Sequence, residues 1–258
     1  MSKEQSLKPM FKWSGGKRRE LKHVLELMPS EFDNYCEPFV GGGAVWFKLE
    51  NNSNLIGDFN TDVINFYKVV KNHGKKFIDD LNCFAIDYKK LINKIKPKMR
   101  EDYKPLADQY YYWRDTDFTS DYDIAKRFYI LRNLSFSGML RYNKKGKYNV
   151  PYGYYKNFKF LEWNNDYEKL FHNTEFLNTD WKNTVSKVSG NSFVFLDPPY
   201  TRKFTKYSNK GDFDLDNHRE LFDWFSSRQS RAMIILNKDD FTFNLYKKII
   251  FMIENNYK

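Results

Sequence analysis

The sequence predicts an α/β fold with a mostly parallel sheet, interrupted by an inserted module of different character. Strand-sized apolar runs alternate with helical periodicity over the first 70 or so residues, and the alternation resumes after Glu175. Between them lies a stretch that lacks it, helical at first and then basic and aromatic. That interruption splits the α/β core into 1–72 and 166–258 around an insertion at 73–165.

The elements follow in order. A helix is expected over Arg18–Met28, then a short apolar strand at Asn34–Val40, a turn at Gly41–Gly43 and a helix at Ala44–Glu50. Leu55–Gly57 reads as a second strand ending at Asp58. Asp62–Lys71 is helical, with Val63, Phe66, Tyr67 and Val70 on one face. Asp62 suits its first turn, where the helix dipole favours a carboxylate. In the insertion Phe77–Ile95 and Tyr122–Leu134 are helical, followed by loops without clear strand periodicity. The returning core has strands at Phe176–Leu177, Phe193–Leu196, Ala232–Leu236 and Ile249–Ile253, with a helix at Asn217–Ser227. The last expected strand lies close to Lys258, which suggests an incompletely covered sheet edge and hence a monomer, a dimer or a companion subunit.

Composition narrows the partners. Hydrophobic residues make up 41% of 258, enough to bury a core, so wholesale disorder is excluded. Forty-three Lys and Arg against 33 Asp and Glu leave a net charge of +10, which favours a polyanion, nucleic acid first. A membrane span is not expected, because runs such as Ala232–Leu236 are far too short. The N-terminal MSKEQSLKPM has no apolar signal core, so the chain is expected in the cytoplasm, or wherever its nucleic acid resides, and not secreted. Cys36 and Cys83 alone cannot build a disulfide framework and suit a reducing compartment, and four histidines make a metal site unexpected.

Three motifs carry chemistry. In Glu37-Pro-Phe-Val-Gly-Gly-Gly-Ala44, glycines between a strand and a helix let the backbone approach a nucleotide-like ligand closely. Asp58, at the end of the next strand, can accept hydrogen bonds from both hydroxyls of a ribose. A tight turn with an ordinary cap is the plainer alternative. In Phe195-Leu-Asp-Pro-Pro-Tyr200, a buried strand ends in a carboxylate, two stiff prolines and an aromatic ring. The Asp197 carboxylate and Pro198 carbonyl form a preorganised acceptor pair for an exocyclic amino group, with Tyr200 able to stack on the base bearing it. Lys12-Trp-Ser-Gly-Gly-Lys17 places glycines and a cation before a helix, a weak anion-binding signal without Walker spacing.

In the order FKWSGGK, EPFVGGGAV, GDFNTD, a central insertion and FLDPPY, the chain resembles the Dam family of DNA adenine-N6 methyltransferases, in its α-class arrangement. The resemblance runs from about Phe11 to Asn237, and Leu134–Gly153 resembles the family's recognition-domain segment. It implies a Rossmann-like S-adenosylmethionine-dependent methyltransferase core with an inserted, mostly helical target-recognition module, and S-adenosylhomocysteine as product. Trp13 and Lys17 match residues that contact S-adenosylmethionine, Phe39 and Gly41 the loop beneath its methionine part, Asp58 the ribose-binding acid and Phe59 a neighbour of the adenine. Thr179, Asp180 and Trp181 occupy the adenine-pocket segment. Asp197, Pro198, Pro199 and Tyr200 match the catalytic motif, Asp197 also lying at the cofactor. Lys12 and Arg141 match guanine-contacting residues, Phe136 an aromatic that intrudes into the duplex, and Met139 an apolar neighbour of the target. Ser137 stands where some relatives carry Asn, and Asn143, Lys145, Lys147, Pro151 and Tyr155 complete the implied DNA-binding set.

The residues of the insertion agree. Arg141–Phe160 holds six cations and no acid, interleaved with seven aromatics, a composition suited to phosphate contacts that weaken with salt. Arginine reads guanine bidentately, worth about 1–3 kcal/mol of discrimination, and the implied target is GATC. The expected reaction is direct methyl transfer to N6 of a flipped adenine, with Asp197 and the Pro198 carbonyl offsetting charge on the nitrogen. An RNA adenine methyltransferase and a partner-dependent, catalytically weak DNA-binding subunit are the other readings.

Overall fold

The structure is a computed structural model that describes residues 6–13, 15–143, 146–200 and 213–247. Lys144, Lys145 and the expected strand Ile249–Ile253 lie outside the described residues.

Five strands, β1 (Asn34–Glu37), β2 (Asn54–Gly57), β3 (Thr174–Leu177), β4 (Ser192–Leu196) and β5 (Arg231–Ile234), form one parallel sheet in the order β3-β2-β1-β4-β5. β4 is buried at every position, as expected of a parallel strand covered on both faces. Its alternate residues separate: Phe193 and Phe195 join the larger core with Tyr35, Ile56 and Phe176, whereas Val194 and Leu196 join Cys36, Trp181, Leu221 and Phe225 on the other face. The order steps outward from β1 to β2 and β3, then restarts on the opposite side of β1 with β4 and β5. That reversal opens a crevice beyond the carboxyl ends of β1 and β4, where ligands bind in open α/β sheets.

Each helix starts where local chemistry allows. α1 (Leu21–Leu27) is shorter than the expected Arg18–Met28 and has no side-chain cap. α2 (Ala44–Leu49) begins at Gly43, whose φ of 67° is open to glycine at little cost. α3 (Thr61–Ile95) is capped by Asn60, whose Oδ1 accepts from the backbone of Asp62 at 3.0 Å and Val63 at 3.3 Å. It bends at Gly74 (φ 49°, ψ −128°), beside Trp163, where the sequence changes character. α4 (Lys104–Asp115), α6 (Asn165–His172), α7 (Trp181–Val185) and α9 (Asp240–Tyr246) were not expected. α4 buries only Leu106 and Tyr110, too sparse a stripe to stand out among its other aromatic and charged residues. α5 (Asp121–Leu134) and α8 (Leu215–Ser227) lie where helices were expected.

The segment after α5 departs from a structureless loop. Antiparallel bridges at Ser135–Tyr152 and Tyr142–Tyr148 close it into a narrow hairpin. Tyr148, Val150 and Tyr152 are buried on alternate positions. That period-two signal is in the sequence, masked by the density of aromatics around it. Among the described residues no helix is long and apolar enough to cross a membrane.

Insertion and sheet share one hydrophobic core. Phe66 of α3 packs edge-on to Phe11 at 5.3 Å, near Phe77 at 5.9 Å, and against Phe128 and Tyr129 of α5, each at 5.8 Å. Trp46, Phe47, Tyr67 and Phe171 extend the same cluster over the sheet. Phe66→Ala is expected to cost about 3–5 kcal/mol. Because the cluster is continuous, far-UV circular dichroism and tryptophan fluorescence should follow one coincident denaturant transition, displaced to lower concentration.

Candidate active site

Three adjacent strands end in carboxyl groups: Asp58 after β2, Glu37 closing β1 and Asp197 after β4. Lys17 enters from the N-terminal loop and is almost fully buried. Its ammonium lies 2.6 Å from Asp197 Oδ2 and donates to the Gly15 carbonyl and the Tyr200 hydroxyl, both at 2.8 Å. Burial works against the lysine charge, yet Asp197 and Tyr200 outweigh it and hold its pKa above the ordinary value. Burial likewise pushes the Asp197 carboxyl up to about 6, with Lys17 opposing the rise. The ion pair therefore ties a loop near the chain start to the end of a strand 180 residues later.

Asp58 is braced from both sides. Its Oδ2 accepts the Gly41 N–H and its Oδ1 the Asn60 N–H, both at 2.8 Å. Each carboxylate oxygen retains a further lone pair, so the group can still accept two hydroxyls. Burial raises its pKa to about 6 against those hydrogen bonds. Gly41 has φ 45°, and a Cβ there would fall 2.3 Å from Trp13 Nε1. The indole thus lies directly on the glycine turn. Tyr67 of α3 holds the other side, donating to the Gly41 carbonyl at 3.0 Å.

Glu37 is the third acid and was not singled out from sequence. Burial pushes its pKa up to about 8, which the Tyr35 hydrogen bond opposes and the Asp197 and Asp58 charges reinforce. That rise favours its neutral form, leaving Asp58 and Asp197 as the carboxylates that face one ammonium, a balance that suits a cationic ligand. The signal was its place in the motif, a carboxyl immediately before Pro38 at a strand end.

Of the other expected residues, Phe39 meets Phe213 edge-on at 5.6 Å and lies 6.4 Å from Trp181. Phe59 is 40% exposed beside Asp58. Asp180 caps α7 through the Lys182 N–H at 2.9 Å, Thr179 accepts from the Asn183 amide at 2.9 Å, and Trp181 is buried beneath them. Asn178, also unforeseen, donates to the carbonyls of Asp58 at 3.1 Å and Phe59 at 3.3 Å, joining the loops after β2 and β3.

The hairpin after α5 carries the second group of expected residues. Phe136 and Met139 stand 50% and 38% exposed around Ser137 and Gly138, both at positive φ. Arg141 uses Nε and Nη2 to grip Asn149 at 2.8 and 3.0 Å, which fixes the guanidinium plane. Asn143 Oδ1 accepts the Lys147 N–H at 3.0 Å across the turn. Pro151 is exposed and its carbonyl accepts the Phe136 N–H at 2.8 Å, while Tyr155 is half-buried against Gly153. Lys12 is exposed, its carbonyl held by Arg132 at the end of α5.

Two readings of this segment change. The absence of acids in Arg141–Phe160 does not leave Lys147 unpaired, because Asp117, from the α4–α5 connection, lies 2.9 Å from its ammonium. Both partners are well exposed, so the pair is weak and exchangeable for a phosphate. The interleaved aromatics also divide: Tyr148, Tyr152 and Phe158 belong to the core, and Tyr154 and Phe160 are exposed.

The Lys17–Asp197 pair makes a stability prediction. Lys17→Met leaves the carboxylate buried without its cation, at an expected cost of about 3–5 kcal/mol near pH 8. The folded pKa of Asp197, already raised to about 6, then rises further. Folding takes up a proton as pH falls through that value, so the loss should shrink towards about pH 5. Urea midpoints at the two pH values test this, and a loss independent of pH would remove the ion pair as its cause.

The family model described as D12 class N6 adenine-specific DNA methyltransferase matches residues 13–257. The chain is similar to the Type II methyltransferase M.MjaIII of Methanocaldococcus jannaschii, with 34% identity over 265 residues covering 94% of this chain and 88% of that protein. It is also similar to the Type II methyltransferase M.CviBI of Paramecium bursaria Chlorella virus NC1A (31% over 244 residues, 93% and 86% of the two chains). The DNA adenine methylase of Haemophilus influenzae is 31% identical over 265 residues, covering 95% and 86%.

Proposed function

The chain belongs to the D12 class N6 adenine-specific DNA methyltransferase family, and from that premise we propose that it uses S-adenosylmethionine to methylate an adenine swung out of duplex DNA. The observation that carries this reading is the Lys17–Asp197–Tyr200 constellation at the end of β4, across the topological switch from the glycine turn after β1.

The residues fit that cofactor. Asp58, braced through Gly41 and Asn60, is preorganised for a ribose diol. Trp13 on the glycine turn offers a flat apolar wall, and the net negative site favours a sulfonium over a neutral thioether. S-adenosylmethionine supplies an electrophilic methyl group when bound. The rest is alignment and charge, supplied by the chain. Adenine N6 must leave the duplex to reach the crevice. There the Asp197 carboxylate and the Pro198 carbonyl accept its two hydrogens, directing the nitrogen lone pair away from the ring. As positive charge grows on N6, the same two acceptors stabilise it, and one of the two N6 protons they hold is then lost to water. Lys17 keeps Asp197 ionised and fixed through Oδ2, and Tyr200 stacks on the base. The domain roles follow: 1–72 and 166–258 carry catalysis, and 73–165 reads DNA. Arg141, braced by Asn149, and Lys12 support a guanine-containing target, with GATC the specific proposal.

Radiolabelled S-adenosylmethionine offered with a GATC duplex, a GATC-free duplex and RNA tests the reading. Label as N6-methyladenine in the first alone is expected; label in both duplexes discards the site, and label in RNA discards duplex DNA as the preferred substrate. Asp197→Ala should lower turnover by about 100- to 1,000-fold or more while cofactor binding persists. With Asp197 at about 6, kcat/KM should fall on the acid side as protonation removes the acceptor charge. A profile flat from about pH 7 to 5 would take Asp197 out of the reaction.

A further inference from the structure

Two side chains join the recognition segment to the cofactor-facing loops, and neither belongs to the expected site. Arg132 lies at the end of α5, just before the hairpin that bears Phe136, Met139 and Arg141. It is 3% exposed, and its Nε and Nη2 both donate to the Lys12 carbonyl, at 3.2 and 2.5 Å. Its guanidinium sits 5.4 Å from the centre of the Trp13 ring, and its Nη1 is buried with no partner among the described residues. A buried cation bonded only to a carbonyl and a ring is expensive, and shape-filling alone does not account for it. It holds a base-contacting candidate and the indole on Gly41 in one grip.

Tyr142 makes the second link. Its hydroxyl donates to Asp62 Oδ2 at 3.0 Å, reaching from the hairpin to the first turn of α3. Asp62 is fixed to Asn60 through the cap, and Asn60 N–H holds Asp58 Oδ1. The route through Arg132 passes by Trp13 to Gly41, whose N–H holds Asp58 Oδ2. One connection leaves the end of α5 and the other the hairpin that follows it, and they meet on the two oxygens of one carboxylate.

We propose that Arg132 and Tyr142 are positioning residues that couple the DNA-recognition hairpin to the cofactor site, so that duplex DNA and cofactor tighten each other's binding. The inference rests on reading Asp58 and Trp13 as cofactor residues and the hairpin as DNA-binding. Docking of DNA on Lys12, Phe136 and Arg141 restrains the backbone from which Arg132 and Tyr142 project. That restraint passes to Trp13 and to the Asn60 cap, leaving less ordering to be done by the cofactor. By linkage the effect is reciprocal, and it concerns binding rather than the methyl-transfer step.

The test measures a coupling factor. S-adenosylhomocysteine is titrated calorimetrically into the full chain, alone and saturated with the duplex that accepts label in the assay above. The unsubstituted chain is expected to bind it about fivefold or more tightly with DNA present. Tyr142→Phe keeps the ring and removes the hydroxyl's bonds to Asp62 and to the Asn60 side chain; Arg132→Lys keeps the charge and loses the fork. Each should reduce the coupling factor to about half or less, and together they should bring it close to one. Tyr142→Phe is the safer variant for folding, and coincident unfolding midpoints verify it. If both variants weaken S-adenosylhomocysteine equally with and without DNA, the side chains are merely structural and the inference fails. A chain that methylates DNA but binds S-adenosylhomocysteine equally well in both conditions overturns the coupling and leaves the proposed function standing. A chain that binds no S-adenosylhomocysteine overturns both.

Discussion

The buried ion pair between Lys17 and Asp197 is the contact on which the site depends. Parallel strands in neighbouring positions bring their carboxyl ends to one line, and here three of them end in acids. Unrelieved, such a row would repel itself and take up protons. Lys17 offsets part of that cost at Asp197, burial beside Tyr35 shifts Glu37 towards its neutral form, and Asp58 is held by two backbone N–H groups. The three acids thus reach different charge states by different means. The outcome is a crevice with a modest negative charge and fixed acceptors, preorganised before any ligand arrives.

The hairpin after α5 belongs to the same body. Aromatic packing through Phe11, Phe66, Phe77, Phe128 and Tyr129 runs without interruption from the N-terminal segment to α5. A shared core holds the hairpin at a set distance from the strand ends, which suits an enzyme that must grip DNA in one place and receive a single base in another. The bend at Gly74 redirects α3 without leaving that core. Within that core the Tyr142–Asp62 hydrogen bond ties the hairpin to the first turn of α3.

Residue chemistry near the site serves two purposes at once. Gly41 takes positive φ and leaves room for the Trp13 ring, so one missing Cβ makes both the turn and the wall possible. Asn60 caps α3 and orients Asp58. Asp180 starts α7 while Trp181 anchors the same turn in the core. The hairpin shows the same economy, its alternate aromatics buried to support the exposed Phe136 and Met139.

Local spacing was enough to read the sheet-forming runs, the glycine turn after β1, Asp58 at the end of β2 and the Asp197-Pro198-Pro199-Tyr200 turn, because each is written in a few adjacent residues. Residue type alone also marked the insertion as basic and aromatic. The helices α4, α6, α7 and α9 were not legible, since short or sparsely buried helices have too few apolar positions to establish a period. Nor was the Lys17–Asp197 ion pair, whose partners lie 180 residues apart. The division of the hairpin aromatics into core and surface, the Lys147–Asp117 pair and the grips of Arg132 and Tyr142 likewise exist only across distant segments. The sequence by itself determined which chemical groups stand at the strand ends, because backbone propensity and spacing are local. Tertiary structure decided which are charged, which are buried and which touch, because burial and Coulomb energy depend on everything packed around them.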